Sequence, residues 1–397
     1  MSSLAADVEA AALIGADEGG GVSRFAWTPE LAEANRWLCG RFEEIGLRAE
    51  IDPAGNVLGT WEVGEGKAVL AGSHLDTVPR GGRFDGALGV LAALEAVRIL
   101  QRRGVEPVRP LMLVAFNDEE GARFHTGLLG SRAFIGDLDL GDWRARGIPE
   151  AMREAGFDFE RLPEARGVDR VAAYLELHIE QGPVLEERGV DVGVVTSITG
   201  LLGFQVRFLG SANHAGTTPM AARKDALAGA ARAVLALRDE ARERGGMTAN
   251  VGQIRVEPGG ANVVPSLAEF SIDVRSPTAE GFAHVEAFVR EALERIAGEE
   301  DLGLELRETH RKAPTPLDEG IQEVLERAAD LEGATHIRMP SGAGHDATML
   351  ARHVPAGMLF VPSRGGISHS PDEYTAPDQC ELGARVLARA LELVAGS

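Results

Sequence analysis

Apolar residues recur along this chain with two different periods. A helical repeat is clear in residues 29–45, where Leu31, Ala34, Trp37, Leu38 and Phe42 share one face. Residues 86–100, with Leu88, Leu91, Leu94, Val97 and Ile99, and residues 376–394 also read as helices. Between them lie short uninterrupted apolar runs at 68–71, 111–116, 174–177 and 358–361, each of strand length. Helices alternating with such runs predict an α/β domain with a largely buried mixed sheet and helices on both faces.

Residues 203–309 have a different order. Phe204, Val206 and Phe208 alternate as a strand, and residues 225–242 are helical. Strands come next at 251–256 and 268–274, then a helix at 279–296 and a last strand at 302–306. That β-α-β-β-α-β order is the ferredoxin-like unit, an α+β domain that can be inserted into another. The expected division is therefore 1–199 with 314–397 as the larger domain and 200–313 as the insert. Residues 197–200 and 312–316 read as the two connecting hinges.

Charge narrows the partners. The 397 residues carry 61 acidic against 40 basic side chains, a net charge of -21. Nucleic acid and anionic membrane are poor partners for such a surface, because phosphate binding needs clustered Lys and Arg. The two cysteines, Cys39 and Cys380, make no disulfide framework. The first residues lack a basic stretch leading into an apolar one, and no apolar run approaches ~18 residues, so a soluble cytoplasmic protein is expected. Neither Gly19-Gly20-Gly21 nor Gly342-Ala343-Gly344 has the context of a nucleotide site.

The chemistry is concentrated where the strands of the larger domain end. Run 68–71 leads into His74 and Asp76, run 111–116 into Asp118-Glu119-Glu120, run 174–177 into His178 and Gln181, and run 358–361 into His369. Ligands of open α/β sheets bind beyond the carboxyl ends of strands. Each piece has an ordinary reading by itself: a single His is commonly just hydrogen-bonded, an acidic turn just solvated, and Asp85 a helix cap. Together, such carboxylates and imidazoles at one rim would repel or stay unsatisfied unless a cation joined them. Mixed nitrogen and oxygen ligands favour Zn²⁺, with Mn²⁺, Co²⁺ or Ni²⁺ as alternatives, over Ca²⁺. Two metals bridged by one carboxylate, ~3.5–4 Å apart, are a known hydrolytic arrangement.

The strings GSHLDTVPRGGRFDG (72–86), FNDEEGARF (116–124), LELHIEQGP (175–183), GSANHAGTTPM (210–220), ANVVPS (261–266), DVRSPT (273–278), MPSGAGHDA (339–347) and VPSRGGISHSPDE (361–373) span most of the chain. They resemble the di-metal amidohydrolases related to aminoacylase and bacterial carboxypeptidases. Within that group the branch of N-carbamoyl-L-amino-acid hydrolases, β-ureidopropionase and allantoate amidohydrolase fits best, HIEQGP being its distinguishing part. The resemblance implies His74, Asp85 and His178 as ligands of one metal, with Asp85 bridging to a second completed by Glu120 and His369. It implies Asp76 as the residue orienting His74, and Glu119 as the general base. Substrate contacts would come from His214, Asn262 and Arg275 in the insert, with Gln181 and Gly344 from the larger domain. Arg275 suits a carboxylate through its bidentate fork. No role is expected for His125, His284, His310, His336 or His353 beyond surface or structure, and His345 lies near the site without an assigned one.

The resemblance also implies a homodimer paired through the inserted domains, with His214 reaching the partner's site. The expected activity is hydrolysis of the carbamoyl C–N bond of N-carbamoyl-L-amino acids, giving L-amino acid, ammonia and carbon dioxide. Allantoate is the close alternative, since it offers the same carboxylate and ureido groups. An aminoacylase or peptidase is a lesser one, and a non-catalytic relative is disfavoured by the intact Glu119 and ligand set.

Overall fold

The computed structural model describes residues 2–396. In chain order its strands are β1 (Arg48–Ile51), β2 (Val57–Trp61), β3 (Ala68–His74), β4 (Leu111–Phe116), β5 (Val171–Ile179), β6 (Val192–Ile198), β7 (Gly200–Leu209), β8 (Asn213–His214), β9 (Thr248–Asn250), β10 (Ile254–Glu257), β11 (Val263–Val264), β12 (Leu267–Ser276), β13 (Gly303–Lys312), β14 (Thr315–Pro316), β15 (His336–Ser341) and β16 (Ala356–Val361). They belong to two compact units. One comprises the described residues through Thr196, Leu317–Met339 and those from Ala343 onward; the other is Ser197–Pro316 with Pro340–Gly342.

The first unit is built on a mixed sheet that runs β1-β2-β4-β3-β5-β16-β6, with β15 also on β6. Its centre, β4-β3-β5-β16, is parallel throughout. These strands are buried on both faces, which is why they read as continuous apolar runs rather than alternating ones. On one face Val69, Ala71, Leu111, Leu113, Leu175, Leu177 and Leu359 pack with helices Ala87–Arg103, Glu319–Glu332 and Pro377–Ala395. On the other, Phe116 meets Phe134 at 5.6 Å and Tyr174 at 6.2 Å, edge to face. Parallel strands present their carboxyl ends at one rim, and His74, Asn117, His178 and the segment after Val361 all emerge there.

Two details differ from the sequence expectation. The runs 68–71 and 174–177 continue as strand through His74 and through Ile179, so both histidines are ladder residues rather than the first residues of loops. Pairing explains it: His74 lies opposite Phe116 and His178 opposite Phe360, so the ladder continues to those positions. Backbone pairing therefore fixes where both imidazoles begin.

The second unit has the sheet order β10-β12-β7-β13, all antiparallel, the ferredoxin-like arrangement. Alternate residues Leu202, Phe204, Val206 and Phe208 of β7 and Ala268, Phe270, Ile272 and Val274 of β12 form its core with helices Ala226–Arg244 and Ala279–Glu299. Beyond the expected elements, β9 joins β12 and a small ribbon pairs β8 with β11. The connecting segments are extended and paired, Ile198 with Thr315 and Ser197 with Pro316.

One buried cation ties the N-terminal helix Ser3–Leu13 to the end of β3. Arg24 is 1% exposed, and its Nε donates to the Leu75 carbonyl at 2.8 Å. Its Nη1 donates to the carbonyls of Ala11 at 2.7 Å and Ile14 at 3.2 Å. Burial pulls its pKa down to about 10, against the pull of Asp76, so it stays charged at neutral pH. Arg24→Met would leave buried carbonyls unmet, each costing about 1–3 kcal/mol. A stability loss of roughly 2–5 kcal/mol is expected in urea unfolding monitored by circular dichroism. A change within about 0.5 kcal/mol, the ordinary range for a surface substitution, would refute that role.

Candidate metal centre and active site

At the rim, the sequence-expected residues fall into two donor sets that share Asp85. His74, Asp85 and His178 form one, all buried, and Asp85, Glu120 and His369 the other; within each set the ligand atoms lie within 4.8 Å of one another. Asp85 divides its carboxylate between them. Its Oδ1 is 3.2 Å from His178 Nε2 and 3.9 Å from His74 Nε2, while Oδ2 is 3.2 Å from His369 Nε2. Glu120 Oε1 lies 3.4 Å from His369 Nε2.

The imidazole tautomers test whether a cation fits. His74 Nδ1 is 3.0 Å from the Asp76 carbonyl and His178 Nδ1 is 2.9 Å from the Ile179 carbonyl. A carbonyl can only accept, so each Nδ1 carries a proton and a neutral ring turns the lone pair of Nε2 towards Asp85. The Gly86 N–H, which donates to His178 Nε2 at 3.3 Å, agrees with this assignment. Lone pairs of two buried imidazoles then face a buried carboxylate, an arrangement that calls for a positive charge between them. A divalent ion fits this donor set. In its absence a proton must serve. Burial opposes the charge on His178, but its hydrogen bond to Asp85 prevails and raises its pKa to about 9. The hydrogen bond to Asp85 raises His369 to about 9 as well.

The two adjacent glutamates have different surroundings. The Asp118 backbone is left-handed, φ 56°, at the turn after β4. Glu119 Oε2 comes 3.8 Å from His74 Nε2, with its side chain 10% exposed. Burial first, then the charges of Glu120, Asp346, Asp76 and Asp85, raise its pKa well above the usual range. Glu120 is raised to about 7, by burial and then by Asp85. Such crowding is the environment in which a carboxyl holds a proton near neutral pH.

Asp76, for which the resemblance implies an orienting role, meets the His74 ring through its main chain. Its backbone carbonyl, not its carboxylate, meets the His74 ring; the nearest carboxylate oxygen is 3.8 Å away. The carboxylate instead accepts the backbone N–H groups of Glu119 and Glu120, each at 3.1 Å. It is an anchor for the acidic loop.

Other site residues escaped sequence reasoning. Glu176 is fully buried in β5; its Oε1 accepts from Ser73 Oγ at 2.7 Å and its Oε2 from the Ala347 N–H at 3.0 Å. The available signal was a carboxylate within an apolar run, two residues before His178 and so on the same strand face. Asp346 is buried too, its carboxyl raised well above the usual range by burial and by Glu176. His345, unassigned from sequence, stacks edge to face on His178 with ring centroids 4.5 Å apart. Gln181, with left-handed φ 58°, donates from Nε2 to Asp85 Oδ2 at 3.0 Å and to Ser368 Oγ at 3.2 Å. Gly86, φ 63°, has no room for a side chain, since a Cβ would meet the His74 ring at 2.3 Å.

The remaining expected residues lie in both units. Gly344 belongs to the first, with open space where its side chain would be. In the second unit His214 and Asn262 come together at the β8–β11 ribbon, where the Ala215 N–H donates to the Asn262 carbonyl at 2.9 Å. Arg275 on β12 pairs with Asp273 at 3.0 Å and donates to the Gly342 carbonyl at 3.2 Å. Of the histidines expected outside the site, His284 pairs with Glu240 at 2.6 Å and His336 with Asp330 at 3.2 Å.

This motif set and architecture have relatives. The model of the peptidase family M20/M25/M40 matches residues 70–393. The chain belongs to that family. The family resemblance read from the motifs is thereby borne out. An N-carbamoyl-L-amino acid amidohydrolase of Geobacillus stearothermophilus is 43% identical over 382 residues, 94% of this chain and 93% of the relative. An allantoate amidohydrolase of Bacillus subtilis is 39% identical over 395 residues, covering 96% and 94%. Among solved structures, a hydantoinase/carbamoylase family amidase from Burkholderia multivorans superposes with TM-score 0.90 at 34% identity, covering 98% of this chain and 96% of that one. Among the described residues of this M20 member, no helix is long and apolar enough to cross a membrane.

Asp76→Ala should release the acidic loop without removing a candidate ligand. Outer residues that orient ligands are typically worth about 10–100-fold in metal affinity, and a loss of that size is expected in titrations of chelator-stripped protein with Zn²⁺. Unchanged affinity would mean that the loop holds its shape without this anchor.

Proposed function

We propose that this M20 member hydrolyses the carbamoyl C–N bond of N-carbamoyl-L-amino acids, releasing the amino acid, ammonia and carbon dioxide. The observation that carries the reading is the shared Asp85 carboxylate between two donor sets, with Glu119 beside it and not among them. The identity to N-carbamoyl-L-amino acid amidohydrolases across nearly the whole length supports the choice of bond. Allantoate is the second reading, favoured by the similarity to allantoate amidohydrolases of Bacillus subtilis and Escherichia coli.

In this reading His74, Asp85 and His178 hold one divalent ion and Asp85, Glu120 and His369 a second, with Zn²⁺ first among the candidates. When bound, the ions supply Lewis acidity to the scissile carbonyl and to the attacking water. Glu119 takes a proton from that water and returns it to the leaving nitrogen, the work of a general base and then a general acid. His74 and His178 keep Nε2 unprotonated by donating Nδ1–H to backbone carbonyls. Gln181 steadies Asp85 and contacts substrate. Arg275, through its planar fork, and Asn262 hold the substrate's acid group, His214 donates to the oxyanion, and Gly344 leaves room beside it. Assembly as a homodimer through the inserted units, in the cytoplasm, belongs to the same reading.

The deciding experiment is ammonia release by purified, metal-loaded protein on N-carbamoyl-L-amino acids, N-carbamoyl-β-alanine and allantoate. The expected result is the highest kcat/KM for an N-carbamoyl-L-α-amino acid. Preference for allantoate would select the second reading, and no ammonia from any of them would refute both.

The glutamates can be told apart. Glu119→Gln should retain metal while kcat falls roughly 10²–10⁴-fold, the scale of a general base. Glu120→Gln should lose metal as well as activity. Near-normal turnover by Glu119→Gln would remove it from the mechanism.

A further inference from the structure

Glu373 lies four residues beyond His369 and is 4% exposed. Its two oxygens reach two separate loops. Oε1 accepts the backbone N–H groups of Phe84 and Asp85, each at 3.0 Å. Oε2 accepts from Ser368 Oγ at 2.8 Å, next to His369. Ser368 Oγ in turn takes the Gln181 Nε2 hydrogen at 3.2 Å, and the other Nε2 hydrogen goes to Asp85 Oδ2 at 3.0 Å. One carboxylate thus closes a ring of hydrogen bonds through the peptide of Asp85, its side chain, Gln181 and the residue before His369.

The packing leaves no slack. A Cβ added at Gly82 would lie 2.0 Å from Glu373 Oε1 and 2.6 Å from its Cβ. The Gly82 backbone is not in the left-handed region, so the glycine answers to the carboxylate's space rather than to a strained turn.

We infer that Glu373 is a positioning residue for the metal centre, holding the bridging Asp85 and the loop of His369 in register. The inference rests on the metal reading above. It acts by hydrogen-bond geometry, not by charge, which sets a sharp expectation for its variants. Gln at 373 keeps an amide oxygen for the two N–H groups, and its NH₂ can donate to Ser368 Oγ, whose own hydrogen can turn to Asp85 Oδ2, now 3.3 Å away. Asp is one methylene short and cannot span both loops. Ala leaves the two N–H groups buried and unmet.

The test is stepwise Zn²⁺ and Co²⁺ titration of chelator-stripped full-length protein, with melting temperature as the check on folding. Wild type should bind two ions. Glu373→Ala and Glu373→Asp should weaken one step about 10–100-fold, the step that uses Asp85, Glu120 and His369, and the other step distinctly less. Glu373→Gln should stay within about threefold of wild type in both steps, because its acceptor oxygen and outward donor are preserved. Gly82→Ala applies the same test with the carboxylate still present, by pushing it from its place, and should resemble Glu373→Ala; it stands in if Glu373→Ala does not fold. Wild-type affinities in Glu373→Ala or Gly82→Ala would overturn the inference. So would equal weakening of both steps with no rescue by Gln, the mark of a general structural role. Wild type that binds no ion would instead refute the metal reading itself.

Discussion

Everything at the rim depends on a buried carboxylate having imidazole nitrogens at both of its oxygens. Asp85 is 5% exposed, His74 and His178 are nearly inaccessible, and the ring protons of both histidines are already committed to backbone carbonyls. Buried acceptors without donors are costly, and the cost rises as the local dielectric falls. A cation between them would turn this liability into an attraction. Burial works against the ionised Asp85, yet His178 and His369, when protonated at Nε2, hold its carboxyl well below the usual range. The site is therefore organised for an anion surrounded by positive charge.

Such a centre needs ligands from distant parts of the chain fixed to within fractions of an ångström. The parallel strands provide the first level, since β3 and β5 end in His74 and His178 as paired ladder residues. Loops provide the remaining ligands, and each loop is fastened by a polar side chain acting on backbone N–H groups. Asp76 holds the Glu119–Glu120 peptide groups, Glu373 those of Phe84 and Asp85, and Glu176 that of Ala347. At the foot of the acidic loop, Asn56 Oδ1 accepts the Asn117 N–H at 2.9 Å, and Asp52 holds Asn56 through Nδ2 at 2.8 Å. Loops are ordinarily the mobile part of a domain; these are tied down by buried side chains.

That division explains what could be read from the sequence. The four core strands showed themselves as apolar runs because both faces are covered, and the inserted unit because its β7 and β12 alternate over one core. His74, Glu120, His178 and His369 were legible as types that bind metal near the ends of runs; Asp85 and the division into two ligand sets came from the family resemblance. What could not be read was which atom of a residue does the work. Asp76 was expected to orient His74; its main-chain carbonyl meets the ring, and side chain and main chain are not distinguished in a sequence. Asp346 and Glu373 were overlooked because an acidic residue in this acidic chain carries no mark of burial; Glu176 did carry one, its place inside an apolar run. Short pairings such as β8 with β11 were missed for a related reason. Two residues hold no periodicity.

The adjacency of Glu119 and Glu120 shows how the fold separates two chemistries in one dipeptide. In a strand, neighbouring side chains point to opposite faces; in a helix they diverge by about 100°, a consequence of its 3.6-residue turn. Neither geometry puts both carboxylates at one centre in different roles. Here the left-handed Asp118 ends the strand direction of β4, and Asp76 then takes both succeeding N–H groups into its carboxylate. Glu120 is delivered towards His369 and Glu119 towards His74. A non-glycine residue in that region stores strain on the order of 1–3 kcal/mol, and Gln181 and His369 carry the same kind of backbone around the same carboxylate. The strain is sustained because each strained residue has its side chain or the neighbouring peptide held in the site's hydrogen bonds. Relaxing Asp118 would turn the dipeptide and take both carboxylates away from these separate positions.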